Sequence, residues 1–399
     1  MRFVRPTLTV LLVTLLMAIP AQRAMQAQGT EPAKVVTPAL DFSGVIYAYY
    51  QRRTDSSSKA VNGGMPGSKF DIERVYLNFR MPAGDRASIR VTTDIFNNTD
   101  PATSGYYKGW TARLKFAYLQ WAFANDIAGV KGLNASARFG MLPTVLIDQL
   151  ETYFPRFYGP TDLEGTAKFF VSADVGGALT LTLPHKMGEF YGTIVNGNGY
   201  NTAESDRFKD IAACLTLTPF ANGNALGAWG KTLVITPWAS LGQSASKFQN
   251  GGAGQVGMVP EGLTRDRYGL YIATKDPRLT VALDYGKRTE TVESGNNTAA
   301  SPRVPTDVTG RIMSGFFMVR PAAFADPKSK AARWGVLARI DDFKPDVSAQ
   351  AGNQFTVLSL FYEPTPKVTF SLDNQVLSRK NGSTTPETKT LFLHVQAAF

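Results

Sequence analysis

The sequence is short of cysteine and histidine. It has one cysteine, Cys214, and two histidines in 399 residues, which excludes an intrachain disulfide framework. These residues leave little material for a metal site, and we expect neither a metal nor another cofactor. Catalysis by a serine nucleophile needs a positioned base. His185 lies in a predicted turn, and His394 faces inward in the last strand. Neither has a serine and a carboxylate nearby in sequence, so no enzyme is expected.

Long apolar runs are missing beyond the N-terminus. No later segment has the roughly eighteen apolar residues of a membrane-spanning helix, which excludes helical spans. At the N-terminus two arginines precede an apolar run over residues 8–19, and Pro20 and three small alanines follow. The run is too short to cross a bilayer, and the pattern is typical of a secretory signal. We predict a Sec-exported chain with a signal peptide over residues 1–27 and a periplasmic lead-in over residues 28–39.

The remaining chain, residues 40–399, shows the period-2 alternation of β-strands with one apolar face. At the C-terminus the apolar residues Leu391, Leu393, Val395 and Phe399 occupy alternate positions. A closing strand that ends on phenylalanine resembles that of bacterial outer-membrane β-barrels. Leu393, Val395 and Phe399 are therefore the predicted signal for the barrel assembly machinery. Alternation alone also fits a soluble β-sandwich.

Sixteen segments show strand-like character, and long polar connections alternate with short turns between them. The segments lie near residues 40–51, 69–81, 86–96, 111–124, 133–142, 175–184, 189–196, 208–219, 230–242, 264–275, 278–289, 310–320, 332–344, 354–363, 367–378 and 388–399. Short turns on one side and longer loops on the other are typical of outer-membrane barrels. The sequence thus predicts an all-β fold, a transmembrane antiparallel β-barrel of about 16 strands, in the outer membrane of a Gram-negative-type bacterium.

The polar faces of these strands predict a water-filled interior, because about sixteen strands leave an aqueous channel. In one segment Arg113 and Lys115 alternate with Leu114, Phe116 and Tyr118. The formal charge of +10 is compatible with nucleic-acid binding, but an exported β protein rarely meets nucleic acid, and no such partner is expected. The basic wall of the channel is predicted to comprise Arg90, Arg113, Lys115, Arg138 and Arg339.

The longest connection, residues 143–174, is too apolar for a disordered external tail. We predict that it folds into the barrel and narrows the channel. It carries five acidic and two basic residues, a net charge of −3. An acidic loop opposite a basic wall would create an electric field across the constriction; the alternative is that these charges are merely solvated. The predicted constriction residues of the loop are Asp148, Glu151, Arg156, Asp162 and Glu164.

Three stretches resemble the phosphate-selective porin O and P family of outer-membrane porins. They are Arg138-Phe139-Gly140-Met141 with Pro143, Asp174-Val175-Gly176, and residues 190–200, which end in Asn196-Gly197-Asn198-Gly199-Tyr200. The resemblance implies a sixteen-stranded barrel, usually trimeric, that passes small solutes. The sequence departs from the family where Ala173, not arginine, precedes Asp174, and the long loop has no cluster of basic residues to hold phosphate.

These patterns favour a porin for passive diffusion of small polar solutes and ions. A substrate-specific channel of the anion or phosphate type remains the alternative, and a barrel enzyme or a non-conducting surface barrel fits less well. The expected partners are outer-membrane lipid, small polar solutes or anions, the barrel assembly machinery and two further copies in a homotrimer.

Overall fold

The computed structural model describes residues 40–55, 67–98, 109–223 and 226–399. The predicted signal peptide and lead-in, residues 1–39, lie outside the described residues. The strands are β1 Asp41–Arg53, β2 Ser68–Pro82, β3 Ala87–Asn98, β4 Gly109–Ala124, β5 Asn134–Pro143, β6 Ala173–Thr182, β7 Gly188–Val195, β8 Asp210–Leu217, β9 Val234–Leu241, β10 Gln243–Ala245, β11 Gly262–Lys275, β12 Leu279–Ser294, β13 Val304–Val319, β14 Trp334–Lys344, β15 Gly352–Thr365, β16 Val368–Lys380 and β17 Thr388–Ala398.

The sheet closes on itself. Successive strands pair in antiparallel fashion, and β1 pairs with both β2 and β17, for example where Tyr49 lies opposite His394. The three-residue β10 continues β9 beyond Gly242 and pairs with β11, the same neighbour that β9 has. The fold is therefore a closed antiparallel barrel of sixteen full strands, as predicted.

Side chains alternate between an exposed apolar face and a buried face. In β17, Leu391 and Leu393 are exposed, whereas Thr390 and His394 are buried. The same outward position is taken by large apolar residues of many strands, an arrangement that suits contact with lipid. They include Leu119, Trp121, Phe139, Leu270, Leu283, Phe317, Ile340, Leu358, Leu360, Phe370 and Leu372.

The predicted apolar face of β4 was wrong in part, because this strand contains a β-bulge. The alternation predicted Phe116 and Tyr118 on the apolar outer face, but both are buried, with 2% and 9% of their surface exposed. The register between β3 and β4 shifts at Thr92 and Thr93, which pair with Phe116 and Leu114 and leave Lys115 as the extra residue. A bulge reverses the alternation beyond it, so Lys115 and Phe116 both lie on the buried face.

Within the described ranges, two short α-helices interrupt the strand pattern. α1, Ile147–Tyr153, lies in the long connection between β5 and β6. α2, Gly227–Thr232, occupies the start of the segment predicted as a strand over residues 230–242, and β9 begins only at Val234. Thr232 donates from Oγ1 to the Lys275 carbonyl at 2.6 Å, which holds this turn against β11. Among the described residues, no helix has the length and apolar character to cross a bilayer.

Candidate channel constriction

The connection between β5 and β6, residues 144–172, has a defined structure. It consists of α1, a 3₁₀ turn over Arg156–Tyr158 and a π-helical turn over Asp162–Thr166. In α1 the side chains of Ile147, Leu150 and Tyr153 are buried, whereas Asp148 on the opposite side is exposed. This 3.6-residue periodicity gives the short helix one apolar face to pack and one charged face to present.

Hydrogen bonds join this loop to the buried faces of strands around the barrel. The Gln149 amide contacts Thr236 of β9 at 2.9 Å and Thr216 of β8 at 3.0 Å. Tyr158 Oη lies 2.9 Å from Ser359 Oγ of β15. Further bonds reach β14 and β16: Arg339 donates to the Pro160 carbonyl, and Gln375 donates to the Tyr158 carbonyl.

Apolar packing reinforces these bonds. Phe154 of the loop meets Phe316 of β13 with ring centroids 5.3 Å apart, and Phe170 meets Trp238 of β9 at the same separation. At Gly286 of β12 the loop approaches so closely that an added Cβ would lie 3.0 Å from Phe169. Edge-on aromatic contacts and close packing of this kind fix the loop on the wall.

Four of the five predicted basic-wall residues lie on neighbouring strands. Arg90 is on β3, Arg113 and Lys115 are on β4, and Arg138 is on β5. Each guanidinium or ammonium group lies over an aromatic ring, as Arg90 does over Phe116 with 4.3 Å to the centroid. Cation–π contacts hold the charges at the wall without neutralising them.

The fifth predicted residue, Arg339, lies elsewhere. It projects from β14 and forms a two-pronged pair with Asp341, at 2.9 Å from Nε and 2.7 Å from Nη2. Both side chains are nearly inaccessible, with 4% and 0% exposure. The structure therefore separates Arg339 on β14 from the other four, which lie on β3, β4 and β5. Grouping all five as one wall was wrong, because residues on strands so far apart in the sequential strand order share a face but not a position.

The acidic loop residues Asp148 and Glu151 lie beside the basic wall. The Asp148 carboxylate is 3.9 Å from Arg90, and that of Glu151 is 4.0 Å from Lys115. Arg156 of the loop is 3.6 Å from Glu151 and 2.7 Å from Glu73 of β2. Burial raises the pKa of Glu151, and the charges of Lys115 and Arg156 partly offset this. The loop and wall thus meet through alternating charges rather than facing each other across open space.

The other two acidic loop residues lie further along the loop. Asp162 is buried near Asp284 of β12 and Asp341 of β14. Glu164 is partly exposed, lies close enough to Glu151 and Arg156 to act on them electrostatically, and borders a cavity of about 380 Å³ with Lys168.

Sequence reasoning missed three charged wall residues beside this site: Glu73, Arg74 and Asp94. Asp94, with no exposed surface, accepts from Arg74 at 2.8 Å and from Arg113 at 3.1 Å. All three lie on β2 and β3. The sequence shows that these three residues are charged and lie within predicted strand segments. Which charges contact each other depends on the register between strands, which the sequence does not show.

The motifs behind the family resemblance come together in the structure. Asp174, at the start of β6, accepts hydrogen bonds from the backbone N–H groups of Gly197 and Gly199 at 2.7 and 3.1 Å. Both glycines have positive φ, of 96° and 78°, a conformation that favours glycine. The Asp174 carboxylate therefore organises the connection that follows β7.

Open cavities lie around the loop. One of about 460 Å³ is bordered by Arg80, Arg90, Arg138 and Asp148. Another of about 430 Å³ is bordered by Glu151, Arg156, Lys275 and Arg320, among others. Both have room for several water molecules, and their charged linings suit small polar solutes.

No arrangement for serine catalysis forms around the buried histidine. His394 Nδ1 is 2.7 Å from Asp373 Oδ1, but the neighbouring Ser371 donates to the same aspartate oxygen at 3.1 Å. The serine is thus hydrogen-bonded to the carboxylate and not to the imidazole that would activate it. His185 lies in the turn Pro184–Lys186, as expected.

Comparison with known proteins identifies the fold. The chain is similar to the OmpF of Salmonella typhi, solved in complex with daunomycin, with a TM-score of 0.59 and 12% identity over 90% of this chain and 97% of that one. An anion-selective porin from Comamonas acidovorans has a TM-score of 0.56 and 10% identity, over 91% of this chain and 100% of that one. The outer-membrane channel DcaP of Acinetobacter baumannii has a TM-score of 0.54 and 10% identity, over 91% of this chain and 97% of that one.

No family model and no curated protein sequence matches the chain. At such low identities the similarity shows the fold alone. That fold is the closed sixteen-strand barrel of outer-membrane porins and channels.

Proposed function

We propose that this protein is an outer-membrane porin that lets small polar solutes and ions diffuse passively. The observation that carries the proposal is a barrel with an apolar exterior and a buried face lined by paired charges, with open cavities around the loop. The structural similarity to porins and channels supports it. A channel interior of this kind gives ions a hydrated, polarised path across the bilayer.

The loop between β5 and β6 is proposed to fold into the lumen and form the constriction. Its support is the set of hydrogen bonds to β2, β8, β9 and β15 and the burial of its aromatic side chains. The narrowest passage would run beside Arg90 and Asp148, which border an open cavity. Because both signs of charge line it, we expect weak ion selectivity.

A substrate-specific anion channel, as in the phosphate-selective porin O and P family, is the second candidate. Its support is the cavity bordered by Arg80, Arg90 and Arg138, together with the motifs at Asp174 and Gly197. Asp148 borders the same cavity and lies 3.9 Å from Arg90, which weakens an anion site. Strong block of chloride current by millimolar phosphate would favour this candidate.

Export, location and assembly belong to the same proposal. The signal peptide over residues 1–27 would direct Sec export, and Leu393, Val395 and Phe399 would be read by the barrel assembly machinery. Leu393 and Phe399 are exposed on the outer face, where a receptor could reach them. One solved neighbour, OmpT of Vibrio cholerae, is described as a trimer, and we propose a homotrimer; native mass spectrometry in detergent would test this.

Liposome swelling with sugars of graded size tests the diffusion function directly. Vesicles that contain the refolded barrel should swell quickly in a pentose and much more slowly in a trisaccharide. Vesicles without protein are the control. Heat-modifiable gel migration shows whether the barrel is folded. If folded barrel causes no swelling in a pentose, the protein is not a diffusion pore.

A further inference from the structure

Four basic residues form a row across neighbouring strands of the barrel. Lys287 of β12 lies directly opposite Arg311 of β13, and Arg311 lies opposite Lys344 of β14. Lys380 of β16 lies opposite Gly352 of β15, and a Cβ added at Gly352 would be 3.5 Å from Cγ of Lys344. Because glycine has no side chain, the space between Lys344 and Lys380 is open. We call these four basic residues the outer basic row.

Strand alternation places the outer basic row on the lipid-facing side of the barrel. Side chains an even number of residues apart share one face of a regular strand. Each member of the row is an even number of residues from an exposed apolar or aromatic side chain of its own strand, and the pairing is regular between them. These exposed side chains are Tyr285, Met313, Ile340 and Leu372.

The row lies at one edge of the apolar band. Beside it Tyr268, opposite Lys287, is 46% exposed, and its ring is 5.9 Å from the ammonium nitrogen. At the other edge Trp334 stacks on Tyr362 with ring centroids 4.6 Å apart. The eleven residues of β14 run from Trp334 to Lys344. They span about 33 Å, or about 25 Å at a strand tilt of about 40°, which is the height of an outer-membrane apolar band. Interfacial aromatics at both edges place the row at the level of lipid headgroups.

The lengths of the connections identify this edge as the extracellular one. At the end of the strands where the row lies, the connections are residues 295–303, 345–351 and 381–387. Connections at the opposite end include residues 276–278 and 366–367. Outer-membrane barrels have short periplasmic turns and longer external loops. The row therefore faces the outer leaflet of the membrane.

The positive charges of the row are only partly balanced. The carboxylate of Asp342, on the same face, lies 2.9 Å from Lys380 and 3.9 Å from Arg311. Lys287 and Lys344 have no ion-pair partner among the residues that the structure describes. Like charges directly opposite each other destabilise a sheet. The pairs Lys287–Arg311 and Arg311–Lys344 therefore lower stability unless an anion lies beside them.

We propose that the outer basic row binds the phosphate groups of an acidic lipid of the outer leaflet, of the lipid A type. Arginine binds phosphate through two parallel hydrogen bonds, and lysine binds it as a point charge. Clusters of basic residues at a membrane surface attract anionic headgroups. From β12 to β16 the row extends across about 19 Å of sheet, long enough for a headgroup with two phosphates.

A lipid fits this surface better than a free phosphate ion does. Tyr285 and Met313 continue the same face towards the bilayer centre, where the acyl chains of a bound lipid would pack. The next acidic side chains on this face, Asp266 and Asp307, lie on the loop side of the row, opposite Thr289 and Thr291. They are thus farther from the acyl chains than the row is. The proposal concerns the outer face and does not depend on whether the barrel conducts.

Native mass spectrometry of the full-length barrel in detergent, with EDTA present, is the test. EDTA removes divalent cations that would otherwise bridge phosphates to carboxylates. Titration with diphosphoryl lipid A should show at least one bound lipid per chain. Monophosphoryl lipid A should bind about fivefold more weakly or less, because it brings less negative charge to the row. Phosphatidylethanolamine, which has no net charge, should bind more weakly still.

The double variant Arg311→Gln with Lys344→Gln should weaken binding of diphosphoryl lipid A by about tenfold or more, because two cations are lost. Its unfolding temperature without lipid should be unchanged or higher, since two like-charge contacts are removed. Misfolding would not produce that combination. The matched control, Lys131→Gln with Lys328→Gln, removes two exposed positive charges from turns at the opposite end of the barrel and should leave binding unchanged.

The proposal is overturned if wild type binds diphosphoryl lipid A no more tightly than phosphatidylethanolamine, or if the double variant binds it as wild type does. Displacement of lipid A by an equal concentration of inorganic phosphate would indicate a free-phosphate site and overturn the assignment to a lipid. Loss of an oligomer in the double variant with lipid binding intact would indicate an interface between copies instead. Lipid binding is measured without a bilayer, so its failure would leave the proposed diffusion function intact.

Discussion

At the scale of single residues, the charges of the lumen act in local groups. Arg74 and Arg113 share Asp94, and Arg156 lies between Glu73 and Glu151. Partial neutralisation lowers the cost of burying each charge and also reduces the net field that a permeating ion meets. We therefore expect the proposed channel to be only weakly selective.

Arg90 is a basic-wall residue that borders the open cavity of about 460 Å³. Its side chain keeps 18% exposure, and its 3.9 Å contact with Asp148 is loose. Arg90→Glu should raise the cation-to-anion permeability ratio by about two- to threefold, because a charge of two units changes at the constriction. Reversal potentials in a potassium chloride gradient measure this. Lys131→Glu, which makes the same charge change in an exposed turn, should have little effect.

Arg156 is the main electrostatic contact between loop and wall. It is 8% exposed and lies 2.7 Å from Glu73. Arg156→Met would leave Glu73 without this partner and Glu151 with only its 4.0 Å contact to Lys115. It should destabilise the barrel by about 2–3 kcal/mol. Denaturant unfolding followed by tryptophan fluorescence measures the loss. Arg156→Lys keeps the charge and should lose less; equal losses in the two variants would show that packing, not charge, is responsible.

Gly44 of β1 makes space for the C-terminal aromatic ring. An added Cβ there would lie 2.2 Å from Cζ of Phe399, and the two residues exchange backbone hydrogen bonds of 3.0 and 3.1 Å. Gly44→Val should therefore lower the yield of folded barrel in detergent refolding at least severalfold. Adding Phe399→Ala should restore much of that yield, because the clash is removed. No rescue would mean that the ring is not the cause.

At the scale of elements, strand number and position were predictable, because period-2 alternation and turn composition repeat along the whole chain. The predictions failed where a local feature interrupts the period. The bulge at Lys115 reversed the face of Tyr118, and α2 displaced the start of β9 to Val234. Such irregularities depend on interstrand register, which a sequence pattern does not contain.

The candidate site was predictable only in part for the same reason. The alternation indicated that Arg90, Lys115 and Arg138 share a face of neighbouring strands. The separation of Arg339 from them follows from the strand order and should have been predicted. The pairing of Glu73 with Arg156 could not be predicted, because it depends on where the loop lies.

The loop is the element on which the proposed constriction depends. Deletion of residues 146–165 removes α1 and both following turns, and should raise single-channel conductance by about twofold or more because the narrowest part of the path widens. A matched replacement of the connection 381–387 by glycine and serine is the control, and it should leave conductance near the wild-type value. Unchanged conductance in the deletion variant would refute an inward-folded loop.

At the scale of the whole molecule, the barrel separates two environments. Large apolar side chains cover its outer face, and charged pairs with open cavities occupy its buried face. A closed sheet has no unpaired edge, so its backbone can lie in lipid with every hydrogen bond made between strands. This combination is what a water-filled pore requires.

Planar-bilayer recording of the mature barrel tests the central claim most directly. Conductance and reversal potential are measured together in a potassium chloride gradient, with folded protein confirmed by heat-modifiable migration. We predict stepwise conductance increases with a small reversal potential, because both signs of charge line the constriction. Absence of conductance from folded barrel would contradict the diffusion pore.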